Sequence, residues 1–173
     1  MRRWSLHPVL IACLAVSLAP SSAMAQAAAP AGPLSLITWM EGTWTATTTP
    51  PPGKPPIVID NQVSSVLGGQ ALSFSTSFNG VQQYQGLFAF DPASKEIAFW
   101  YPSAAGELTV GTVTPAQDFI LEDFQVTSPS GGSTPFQVHI QRTGKDAYNW
   151  TLFTKSGTDW KSLFTLHYHR KAS

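Results

Sequence analysis

From Ile57 onward the chain is interrupted at regular intervals by turn-forming residues. They are Gly68-Gly69, Asn79-Gly80, Asp91-Pro92, Ala105-Gly106, Pro115, Ser130-Gly131-Gly132, Gly144 and Ser156-Gly157. The intervals are mostly about 8 to 15 residues, a spacing that suits short strands joined by tight connections. The segments between them alternate with period 2. Leu72, Phe74, Thr76 and Phe78 share one face, and Ser73, Ser75 and Ser77 the other. Tyr84, Gly86, Phe88 and Phe90 follow after Asn79-Gly80, a pair that tolerates the positive φ of a hairpin turn. Ile97, Phe99 and Tyr101 come next, then Leu108, Val110 and Thr112. Phe136, Val138 and Ile140 alternate with Gln137, His139 and Gln141, and Tyr148, Trp150 and Leu152 follow. In the last segment Trp160, Phe164, Leu166, Tyr168 and Arg170 fall on one parity. Only Phe119 to Val126, apolar on both faces, resists assignment.

No segment after Met40 repeats at 3.6 residues. Adding strands at Thr43–Thr49 and Ile57–Ser65 brings the count to about ten. Such a series closes more readily than it stays open, because closure removes the unpaired edges. The fold class read from the pattern is all-β: a closed antiparallel up-and-down meander barrel of about 8 to 10 strands. Leu34, Leu36, Ile37 and Met40 have near-helical spacing, so a short N-terminal helical turn plugs one end. The Pro50–Pro56 run cannot sit in a central strand and reads as an extended loop.

The start of the chain reads as an address rather than as structure. Arg2 and Arg3 precede an apolar run, Val9–Ala19, and Ala23-Met24-Ala25 is a small-x-small cleavage signal. The run is about 11 residues, against roughly 20 for a membrane-spanning helix. The organisation expected is a signal peptide at 1–25, a flexible Ala/Pro leader at 26–33 and one domain at 34–171. The protein is expected to be exported, periplasmic or secreted. Leu10-Ile11-Ala12-Cys13 is a lesser alternative, a lipoprotein box with Cys13 acylated, but the chain stays apolar beyond it. No later stretch is long or apolar enough to cross a membrane.

Losing Arg2 and Arg3 leaves 8 of the 10 basic residues against 10 acidic ones. That balance argues against nucleic acid and against an anionic membrane surface as partners. Cys13, the only cysteine, leaves with the signal, so neither a disulfide nor thiolate chemistry is expected.

The residues do not assemble a catalytic set. Glu122 and Asp123 are adjacent, so in a strand they face opposite sides. Asp60, Asp118, Asp146 and Asp159 fall at turns or strand starts, where Asp serves local hydrogen bonding. No serine lies in a Gly-x-Ser-x-Gly elbow. The function that remains is binding. The inward set, Tyr84, Phe88, Phe99, Tyr101, Tyr148, Trp150, Phe164 and Tyr168, makes an aromatic lumen suited to a small hydrophobic or amphipathic ligand. Arg142 shares parity with Ile140 and is a candidate for meeting a ligand carboxylate near the mouth. The opposing expectation is a solid core with no cavity, as in a structural or interaction domain. No cofactor is expected.

Three short motifs carry a resemblance. The opening Leu34–Trp44, with its Gly42-Thr43-Trp44, resembles the Gly-x-Trp start of the calycin superfamily, which includes lipocalins, fatty-acid-binding proteins and nitrobindin-like barrels. Phe78–Pro92 and Tyr168–Arg170 are similar to the centre and close of small exported lipocalin-like domains of unknown function. The resemblance implies that Arg170 packs over Trp44 and ties the chain ends together, a structural role. The likeness to nitrobindin-like barrels implies haem held through a histidine, here His139, His167 or His169. Strand parity places all three toward solvent.

Overall fold

A computed structural model describes residues 32–172. Two 3-10 turns, Pro33–Leu36 and Thr38–Met40, open the described chain, and ten strands follow. They are β1 (Gly42–Thr47), β2 (Val58–Val66), β3 (Ala71–Phe78), β4 (Val81–Asp91) and β5 (Glu96–Pro102). The second half holds β6 (Leu108–Pro115), β7 (Phe119–Thr127), β8 (Ser133–Gly144), β9 (Ala147–Ser156) and β10 (Asp159–Arg170). Every strand pairs antiparallel with its neighbours in sequence, and β1 also pairs with β10, closing the barrel. The expected signal peptide and nearly all of the leader lie outside the described residues.

Local chemistry sets the turns. Asn79 (φ 49°) and Gly80 (φ 80°) form the two-residue β3–β4 hairpin, and the Asn79 side chain accepts a hydrogen bond from the Val58 amide at 2.9 Å. Between β4 and β5, Asp91 accepts from the Ala93 amide (2.8 Å) and the Ser94 hydroxyl (3.0 Å), folding the chain back on itself.

The barrel has a plugged end and an open end. Leu34, Ile37 and Met40, from the 3-10 turns, are buried at the plugged end. The first and last strands meet there. Trp44 pairs with Arg170 across β1 and β10, and the guanidinium lies 4.1 Å from the indole centroid. Arg170 also donates to the carbonyls of Glu41 (2.6 Å) and Trp39 (3.2 Å) and to the Asp146 carboxylate (3.0 Å). The Trp44 indole donates to the Met40 carbonyl at 2.7 Å. Gly42, at φ 120°, is a glycine by necessity, since a side chain there would collide with the Arg170 guanidinium.

Three details of the strand pattern come out differently from the sequence reading. In β6 the inward face is Thr109, Gly111 and Val113, while Leu108 and Val110, read with Thr112 as the apolar face, are exposed. The Phe119–Val126 segment is β7. Its apolar outer side is explained by a surface cluster in which His139 lies between Phe119 (5.3 Å) and Phe153 (4.2 Å). In β10 the register shifts between Ser162 and Phe164. The extra residue puts Trp160 on the outer face, where Lys155 lies 5.9 Å from its ring, and not on the face of Phe164 and Leu166.

Candidate functional site: the barrel lumen

The inward side chains do not fill the barrel. A cavity of about 440 Å³ runs from the buried floor to the open end, so the solid-core alternative does not describe this chain. Its floor is aromatic. Tyr148 stacks on Tyr168 (centroids 4.8 Å) and meets Trp44 edge-on (4.8 Å), and all three are buried. Above the floor Phe88, Phe99 and Phe124 form one wall, with Phe88–Phe99 at 5.6 Å and Phe99–Phe124 at 5.8 Å. Trp150 and Phe164, 5.8 Å apart, line the facing side. Phe164, half exposed, lies toward the rim, as do Tyr84 and Glu107.

Two inward glycines shape this wall. At Gly86, a Cβ would come within 2.5 Å of the Tyr101 Cβ and 2.9 Å of the Phe74 ring. At Gly111, it would come within 2.5 Å of the Phe124 Cβ. The missing side chains let neighbouring strands approach and let large rings fold across the gap.

Of the candidate ligand-contacting residues, Tyr84, Phe88, Phe99, Tyr101, Tyr148, Trp150 and Phe164 line the cavity, and Tyr168 does too. Arg142 does not. β8 runs from the open end toward the plugged end, so Arg142, near its close, lies far from the mouth. Its guanidinium sits 5.4 Å from the Trp39 ring centroid, its Nε donates to the Gly144 carbonyl at 3.2 Å, and Asp118 lies 3.9 Å away.

The sequence reading names Glu122 only beside Asp123 and gives it no place in the lumen. On β7 it alternates inward with Ile120, Phe124 and Val126, and its neighbours in the ladders are Val113 and Val138. The residue is 8 % exposed, its carboxyl lines the cavity, and it has no hydrogen-bond or charge partner among the described residues. Burial pushes its pKa up to about 8. The adjacency with Asp123 was the available signal: one of the two had to face inward. Asp123 is the outward member and accepts from Gln137 at 2.8 Å.

The cavity's remaining polar groups are few. Burial raises the pKa of Tyr101 and, with help from nearby Glu107, that of Tyr84, so both phenols are neutral donors at ordinary pH. Asn61, Thr76 and Thr109 add neutral groups, while no Lys, Arg or His among the described residues lines the cavity. His167 bonds Asn149 at 2.7 Å on the outer surface, His169 is exposed, and His139 belongs to the outer cluster described above. A haem held through a lumen histidine therefore does not fit the residues present. No group of three or more His, Cys, Asp or Glu among the described residues is placed to hold a metal ion. No helix among them is long and apolar enough to cross a membrane.

No protein-family model matches the chain, and no curated protein matches it. Among solved structures, it is similar to the crystal structure of Rv2717c from M. tuberculosis, with a TM-score of 0.52 and 13 % identity. The match covers 80 % of this chain and 97 % of that one. At that identity the likeness concerns the fold.

Proposed function

We propose that this protein is an exported, lipocalin-like barrel that holds a small apolar or amphipathic molecule in its lumen and performs no chemistry on it. The observation that carries this reading is the cavity of about 440 Å³, walled by Phe88, Phe99, Phe124 and Trp150 and open at one end. Its volume falls within the roughly 300–1,000 Å³ of small-molecule sites. Its lining has the usual composition of such sites, mostly aromatic with a few polar groups. A closed barrel lets that apolar surface face inward without exposing sheet edges. The export part of the proposal rests on Arg2-Arg3, the Val9–Ala19 run and the Ala23-Met24-Ala25 signal.

The test is native mass spectrometry of the protein purified from the cells that make it. A small molecule retained at a one-to-one ratio and released by organic solvent supports the carrier reading. Repeated recovery of a bare chain, or of the chain with a partner protein in place of a small molecule, contradicts it.

A further inference from the structure

The lumen carries two carboxyl groups, Glu107 near the rim and Glu122 deep inside, with no basic side chain among its lining residues. An anionic ligand would find no basic side chain among these residues to neutralise its charge. A wholly apolar ligand would cover the Glu122 carboxyl, which faces the cavity, without offering it a partner, which is costly for a carboxyl group. A cation with an apolar body answers both features. Its charge would meet Glu122, and the π faces of Phe99 and Phe124 on the same wall would add to the attraction.

We propose that the lumen selects organic ammonium ions with an apolar tail, and that Glu122 is the residue that fixes the charged end. This rests on the carrier reading and narrows its ligand class. Pairing charges in an interior is often unrewarding because both must be desolvated. Here folding has already taken most of the water from the carboxyl, so binding costs the ligand's own desolvation and the removal of the Glu122 proton. The inward groups that face Glu122 across its ladder neighbours are the side chains of Val113 on β6 and Val138 on β8. The other titratable groups lining the cavity are Glu107 and the phenols of Tyr84, Tyr101, Tyr148 and Tyr168, and burial holds all four phenols above their ordinary pKa. Glu122 is largely protonated near neutral pH. Arrival of an ammonium ion therefore ionises it, and the carboxyl proton passes to solvent.

The experiment is displacement of the neutral dye N-phenyl-1-naphthylamine by octylamine, octanol and octanoate, which share one tail length and differ in head group. In the wild-type protein octylamine is expected to displace the dye about tenfold more effectively than octanol, with octanoate weakest. Its affinity is expected to rise by up to about tenfold per pH unit between pH 6 and 8, because one proton is released. Glu122→Gln is expected to bring octylamine to the level of octanol and to abolish the pH slope. Asp123→Asn, on the outer face, is expected to do neither. Equal displacement by octylamine and octanol, or an amine preference that survives in Glu122→Gln, overturns the ammonium proposal and leaves the carrier reading standing. Failure of the dye itself to bind the folded wild-type protein overturns the carrier reading.

Discussion

Glu122 makes the stability of this barrel depend on pH in an unusual direction. Burial raises its pKa from the ordinary 4.5 to about 8, so the folded chain holds a proton that the unfolded chain has released anywhere between those values. Stability from this group is complete below pH 4.5 and is lost as pH climbs toward 8, by on the order of a few kcal/mol. His139 has the opposite sign. Burial lowers its pKa, so its contribution grows as pH rises toward 6.5. Comparison with Glu122→Gln isolates the carboxyl. Urea midpoints of the ligand-free wild type are expected to fall between pH 5 and pH 8 relative to those of the variant, and parallel midpoints would refute the assignment. At the plugged end, Arg170 combines an indole face, two carbonyls and a carboxylate. Arg170→Lys retains the charge but loses the planar fork. It is expected to cost about 2–4 kcal/mol in urea unfolding. The sequence made the Trp44–Arg170 partnership legible through the motifs at the two chain ends. It left Glu122 hidden, because the parity of β7 could not be read from a segment that is apolar on both sides.

Among the strands, the clean alternators were legible and the irregular ones were not. β3, β4, β5 and β8 show one apolar face each, and the hairpin at Asn79-Gly80 fixes where β3 ends. β10 misled, because the shift between Ser162 and Phe164 reverses parity and no residue type at that point announces it. Arg142 misled for a different reason. Its parity was read correctly, but which end of the barrel it reaches depends on strand direction, and only the assembled meander reveals that. Gly86 reads as one position of an apolar face and Gly111 as a position opposite to one, and at both an added Cβ would collide with a neighbouring strand. Gly111→Ala is expected to destabilise the barrel by about 1–3 kcal/mol, because the added methyl meets the Asp123 carbonyl and the Phe124 side chain. Ala at Gly131, where nothing lies within 4 Å of a Cβ, adds no contact strain, and its cost comes only from φ 88°. Thermal unfolding of the two variants side by side separates packing from backbone strain, with the larger loss expected at Gly111.

At the scale of the molecule, the architecture separates two tasks. One end spends its side chains on closure: the apolar Leu34, Ile37, Met40 and Trp44, with Arg170, lock first strand to last. The middle and the other end leave room. Barrel closure was legible from turn spacing and alternation, whereas the size of the lumen was not, because it depends on how side chains from ten strands meet. The central claim is that this room accepts an apolar guest, and a fluorescence titration with N-phenyl-1-naphthylamine tests it most directly. Wild-type protein is expected to give a saturable, blue-shifted signal at one dye per chain. Leu152→Trp, which replaces an isobutyl group in the lining by an indole ring, is expected to abolish that signal while keeping the thermal transition of the wild type. Dye emission that never saturates, or that is unchanged in a folded Leu152→Trp variant, would contradict binding in the lumen.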